Sequence, residues 1–215
     1  NDVPLLLRPD LILTDTGFVI SELDSIPGGI GLTASLNSSY TKLGFNILGG
    51  ESQMIEGFSR IAPEGDILVS KEASTYRPEM EWLAKRTGQR VCDAESYALR
   101  QDKRACAYRF FECFDIPNIP GVDELQSLAL DEEIRVTPPF KPQLEEKLWF
   151  ALFWMRPLRD FWRRALSERH FDALKKVIPR TWILDPSPIP PHAELPELGI
   201  QSFQDLSDFS QKERE

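Results

Sequence analysis

The chain is poor in the residues that build metal centres and disulfide frameworks. Its 215 residues include only two histidines, His170 and His192, and three scattered cysteines, Cys92, Cys106 and Cys113. Neither histidine stands at metal-ligand spacing from a cysteine, which argues against zinc. An odd, scattered cysteine set argues against a disulfide scaffold and fits a reducing, cytoplasmic setting. Long apolar runs are also missing. The longest, Leu148 to Met155, is far too short to cross a bilayer, so no membrane association is expected. The first residues, NDVPLLLRPD, carry no basic region or cleavage motif, so no signal peptide is expected. G-x-S-x-G and Walker motifs are both absent.

Positive charge is in short supply as well. Lys and Arg number 25 against 34 Asp and Glu, a net charge of −9. Such a chain repels nucleic acid, so no nucleic-acid partner is expected. Its densest basic stretch, residues 159–176, is interleaved with Asp160, Glu168 and Asp172 and reads as a solvated helix face.

What is present alternates between apolar runs and turn chemistry. Residues 11–14 and 18–23 read as strands around Asp15-Thr16-Gly17, and a helix begins after Pro27-Gly28-Gly29. Residues 52–62 read as a helix. Strand 66–71, helix 77–88 closed by Gly88, and strand 89–96 form a βαβ unit and predict a parallel sheet. Further strands are expected over 104–114, 133–137 and 181–185, and helices over 122–133, 144–155 and 158–177. The fold class is α/β, a mixed sheet with flanking helices. Four segments follow: 1–50, the hairpin and Gly-rich turn; 51–120, the βαβ unit; 121–185, a helical segment; and 186–215, a proline-rich linker and tail.

The hairpin gathers charge at its mouth. With a three-residue loop at 15–17, Asp10 faces Glu22 and Arg8 faces Asp24, all on one side of the ribbon. Directly opposed carboxylates lie about 5 Å apart and repel. A divalent ion, Mg²⁺, held by Asp10, Glu22 and Asp24 would relieve that repulsion, and Arg8 would suit a phosphate oxygen. Solvated strand ends are the plainer alternative. In SIPGGIG, residues 25–31, the glycines either form an anion nest before a helix or simply turn the chain.

These motifs resemble the circularly permuted ATP-grasp ligases of the glutathionylspermidine synthase type. That family carries an R-x-D strand and, at the spacing seen here from Arg8-x-Asp10 to Glu22-x-Asp24, an E-x-N segment leading into a T-P-T-S turn. DILVSKEASTYRPEMEWLAKRTGQRVCDAESY resembles its pre-ATP-grasp βαβ unit, and AYRFFECFDI a strand bearing paired basic and aromatic residues. PFKPQLEEKLWFALFW resembles its W-K-x5-K segment, with Lys141 and Lys147 at that spacing and Trp154 at its end. Asp24 stands where the family has asparagine, and Ser25-Ile26-Pro27-Gly28-Gly29 replaces the T-P-T-S turn.

The resemblance implies part of an ATP-grasp architecture with ATP and Mg²⁺ as cofactors and a small carboxylate plus an amine (or thiol) as substrates, joined through an acyl phosphate. It implies that Arg8 and Lys147, with Lys141, meet phosphates, and that Asp10, Glu22 and Asp24 hold the metal. Gly28, Gly29 and Gly31 are expected to let backbone amides approach an acceptor. Nothing in the chain matches the family's V-K-P strand or Gly-rich flap, so a truncated, inactive portion is expected, with the missing half of its own chain as one partner. The alternative is a non-catalytic α/β interaction module that retains the scaffold.

On Lys147 two outcomes stay open. The surrounding run, Leu144, Leu148, Ala151, Leu152 and Met155, predicts a largely buried helix, from which a lysine either extends to solvent or meets a buried anion.

Overall fold

The structure, a computed structural model, describes residues 3–97 and 99–182. They divide into two compact units, residues 3–8 with 24–145, and residues 9–23 with 146–182. The proline-rich segment and most of the strand expected at 181–185 lie outside the described residues.

The first unit is a parallel α/β layer structure. Its sheet contains β3 (Asp66–Val69), β4 (Arg90–Asp93), β5 (Cys106–Phe110) and β6 (Arg135–Thr137) in the order β4-β3-β5-β6, all parallel. The expected βαβ unit is there: β3, then α3 (Arg77–Thr87), then β4, with Gly88 closing the helix at φ 75°. The strands are shorter than the apolar runs suggest. Four residues of β3 pair with four of β4, Asp66 opposite Arg90 through Val69 opposite Asp93. Beyond Asp93 there is no neighbour to extend, and the chain turns into α4 (Ala94–Tyr97) instead of continuing as strand.

Period-two alternation divides the core. Ile67, Val69, Tyr108 and Phe110 face one layer, where they meet α1 (Ile30–Lys42), α2 (Gln53–Ser59) and α3 through Ile30, Phe58, Met80 and Leu83. Leu68 and Ala107 face the other, against Tyr97 of α4 and Val122 and Leu125 of α5 (Val122–Leu130). Helices on both faces of a parallel sheet explain why β3 is buried at every position.

Arg109 breaks that apolar pattern. It is fully buried, and its guanidinium donates to the Pro138 carbonyl at 3.2 Å, to Phe111 O at 2.5 Å, to Pro139 O at 2.9 Å and to the Glu145 carboxylate at 2.6 Å. A buried charge is tolerable only when paired and hydrogen-bonded in this way.

The second unit contains β1 (Arg8–Thr14) and β2 (Gly17–Asp24) from Pro9 to Leu23, with α6 (Leu148–Trp154) and α7 (Arg159–Val177). Its core joins Phe150, Phe153, Phe171 and Ile178, with Ile20 of the ribbon and Trp149, Trp154 and Trp162 packed around them. Two indole N–H groups are satisfied within the unit: Trp154 donates to Pro179 O at 2.8 Å and Trp162 to Leu152 O at 3.0 Å. Helix α7 is interrupted at Ser167, whose φ of 61° and ψ of 155° are not helical. Among the described residues no helix is long and apolar enough to cross a membrane.

Replacing Arg109 by Ala removes the cationic partner of Glu145 while leaving that carboxylate in place. Urea unfolding of Arg109→Ala is expected to show a loss of about 3–5 kcal/mol relative to the parent, the range for breaking a buried ion pair.

Candidate functional site

The sheet order contains a topological switch. After β3 the chain adds β4 on one side and β5 on the other, so the crossovers diverge at the carboxyl ends of β3 and β5. In open parallel sheets a crevice forms there, and ligands use it. This unit has such a cleft, about 500 Å³, lined by Ser70 beyond β3 and by Phe110, Phe111 and Glu112 at the end of β5. Arg8, Asp24, Gly28 and Gly29 line it as well, with Glu72, Tyr76, Phe114 and Asp115.

The residues expected at a phosphate and metal site fall into two pairs. In the first unit, Arg8 and Asp24 form an ion pair at 3.1 Å, and Arg8 also donates to Gly28 O at 2.7 Å. Asp24 further accepts the Ile26 amide at 2.7 Å. In the second unit, the Lys147 ammonium lies 3.3 Å from the Glu22 carboxylate. Among the described residues no three His, Cys, Asp or Glu side chains gather so as to hold a metal ion. Glu22 and Asp24 each face a cation of the chain itself. The fit to Mg²⁺ is therefore poor in this arrangement.

The loop of the hairpin is shorter than expected. Gly17, with φ 144°, already opens β2, leaving Asp15 and Thr16 as the connection. Asp10 accepts a hydrogen bond from the Ser21 hydroxyl at its carbonyl oxygen, 3.2 Å.

Lys147 differs from the sequence expectation in another respect. The helix expected from Leu144 starts only at Leu148, after a 3-10 turn over Pro142–Leu144. Lys147 therefore precedes the apolar helix and is more than half exposed. Lys141 belongs to the first unit, where it lines a second cavity of about 670 Å³ with Arg135 and Phe140.

Gly28 and Gly31 are closely packed, while Gly29 turns the chain at φ 81°. A Cβ on Gly31 would stand 2.5 Å from Glu79 O, and one on Gly28 would stand 2.4 Å from the Tyr76 ring. Both mark close approach to α3 and the turn before it. The anion nest is filled from within: Glu79 accepts the Gly29 amide at 2.7 Å and the Leu32 amide at 3.1 Å. Its carboxylate takes the place at the start of α1 that an external anion would otherwise occupy.

Sequence reasoning missed Glu112, Asp115 and Glu145. Glu145 receives Arg109 on one oxygen and the Cys113 amide on the other, at 2.6 Å each. Glu112 lies beside it. Burial, then the hydrogen bond and charge of Glu145, then the charge of Asp24 push the Glu112 carboxyl up to about 8, and Arg109 only partly offsets them. Asp115 is 4% exposed; Asn118 donates to its Oδ1 at 3.0 Å, and its Oδ2 has no hydrogen-bond partner among the described residues. The only pattern that could have pointed here is the run Phe110–Asp115, where acids interleave with aromatics at the end of a strand.

Comparison with protein-family models, with curated proteins and with solved structures finds no match to this chain.

Glu112 makes stability depend on pH. Unfolded, its carboxyl titrates near 4.5; folded, near 8. Between those values the native state keeps a proton that the unfolded chain has lost. The stabilisation is complete below the lower value and is lost as pH rises through the upper one. Burial sets this titration first, then Glu145 and Asp24, with Arg109 opposing them; Tyr108 and Cys113 also face the Glu112 carboxyl. Thermal melts followed by circular dichroism are expected to fall by several degrees between about pH 5 and about pH 8.5, and Glu112→Gln to flatten that slope.

Proposed function

We propose that the chain is a portion of an ATP-dependent carboxylate–amine or carboxylate–thiol ligase acting through an acyl phosphate, with little or no turnover by this chain alone. One observation carries the reading: Glu22 of the hairpin motif and Lys147 of the K-x5-K segment, far apart in sequence, meet at 3.3 Å. These are two of the positions at which the resemblance requires a common site. In this reading Lys147 exchanges its contact with Glu22 for a phosphate oxygen when ATP binds, and its exposed ammonium is free to swing. Arg8, held by Gly28 O and Asp24, is a second phosphate-facing cation on the rim of its own cleft. Mg²⁺, when present with ATP, supplies neutralisation of phosphate charge.

A second reading has its own support. The amides of Gly29 and Leu32 are already satisfied by Glu79. Glu22 and Asp24 are likewise compensated by the chain's own cations. These contacts favour a non-catalytic α/β interaction module that retains the scaffold and binds no nucleotide.

Calorimetric titration of Mg-ATP separates the two. The ligase reading expects weak binding, with a Kd on the order of 1 mM or about −4 kcal/mol, lowered about tenfold in affinity by Lys147→Met. Equal affinity of the parent and Lys147→Met, or no Mg-ATP binding at all, favours the module and rejects the ligase assignment.

A further inference from the structure

Helix α1 is apolar on both sides. Its inner face, Ile30, Gly31 and Ala34, is buried, with Gly31 close against α3. Leu32, Leu36 and Tyr40 recur at intervals of four, and Leu43 follows three later. At about 100° per residue these four fall on one outward arc, opposite Ala34. Each is between 44% and 72% exposed, on the side where a surface helix is ordinarily polar. The exposed ring of Phe45 stands edge-on to Tyr40, centroids 5.6 Å apart, and extends the patch past the helix end. Leu32, Leu36, Ser39 and Leu43 are spaced four, three and four, the seam spacing of one helix lying along another. Ser39 is small enough to let two backbones approach there.

The same stretch is where the chain lacks charge. Lys42 is the only charged residue between Asp24 and Glu51, and Glu51 holds it at 3.6 Å. The whole chain carries −9, so two copies repel across most of their surfaces. Along α1 they meet without opposing acids. The area also suffices. The five apolar side chains present on the order of 500 Å², and with a polar rim an interface built on them reaches roughly 800 Å² per partner, the size of a standard specific interface.

We propose that α1 is a self-association surface. Two copies of the chain pair through the stripe of Leu32, Leu36, Tyr40 and Leu43, helix against helix and antiparallel about a two-fold axis. One patch serves both sides, as an isologous dimer requires. Antiparallel pairing also sets opposite helix-dipole ends side by side. A strongly charged partner finds no counter-charge on this face. The surface lies wholly in the first unit and stands apart from the ligase reading, which Mg-ATP titration tests separately.

Sedimentation equilibrium of the full chain is the test. A reversible dimer is expected with a Kd of about 10 μM or tighter, since interfaces of this size span micromolar to picomolar affinity. Leu36→Glu and Leu43→Glu each place like charges across the axis and are expected to weaken the dimer at least about tenfold. Both side chains are exposed, so the circular-dichroism melts of the variants are expected to match the parent's. Should Leu36→Glu fail to fold, Leu43→Glu decides, because it stands at the C-cap, beyond the last helical residue. Phe161→Glu, an exposed apolar position of the second unit, is expected to leave the dimer unchanged. Mixing Leu36→Glu with Leu36→Lys is expected to restore association, because the two sides then carry opposite charges.

A single-chain mass at about 100 μM, well above the expected Kd, overturns the proposal and leaves the face to a different protein. A dimer that survives both glutamate variants, or that Phe161→Glu disrupts equally, overturns it by placing the interface elsewhere. No recovery in the mixture overturns the pairing of α1 with itself.

Discussion

The guanidinium of Arg109, sealed inside the first unit, ties together everything at the carboxyl end of the sheet. One side chain on β5 holds the carbonyls of Phe111, Pro138 and Pro139, and so fixes how the chain leaves β5 and β6. Its remaining charge is met by Glu145. The rings of Phe111 and Phe140 lie 5.4 and 5.2 Å from the guanidinium carbon, so the charge also sits between aromatic faces. The desolvation cost of such a cation is large, and neither partner can be removed without exposing the other to it. The carbonyls leave little freedom in where Glu145 can go.

That constraint reaches the cleft through two neighbours. Glu145 is fixed by Arg109 and by the Cys113 amide, so its charge cannot move away from Glu112. Glu112 answers by keeping its proton well above the ordinary carboxyl range. The backbone that Glu145 anchors at Cys113 is also the start of the short helical turn carrying Phe114 and Asp115. A structural ion pair behind β5 thereby positions the groups that line the crevice in front of it. Burial of one charge sets the protonation of another, and the geometry of both follows from a single strand position.

The sequence made the scaffold legible because its signals are local. The DILV run, the Pro78 start and Gly88 stop of α3, and the short apolar RVCD run lie within one βαβ unit, each read by period or by capping. The ends were less legible, since a strand stops where its partner stops, and β4 pairs only as far as β3 extends. The site was the least legible part. Glu79 meets Gly29 across 50 positions and Arg109 meets Glu145 across 36, and neither contact leaves a mark on nearby residues. At Lys147 the helix start was the illegible part. The helix is apolar as its sequence suggests, but it begins only after the Pro142 turn, which leaves the lysine at an exposed start.

Self-compensation separates the two kinds of acid in this chain. Asp24, Glu22 and Glu79 have each found a donor within the fold, an arginine, a lysine or two backbone amides. A group so satisfied has little to gain from a ligand, because binding must first give up what folding already supplies. Asp115 differs: its Oδ2 has no hydrogen-bond partner among the described residues, and the atom is sealed from solvent. The acids drawn together by sequence spacing are thus already compensated.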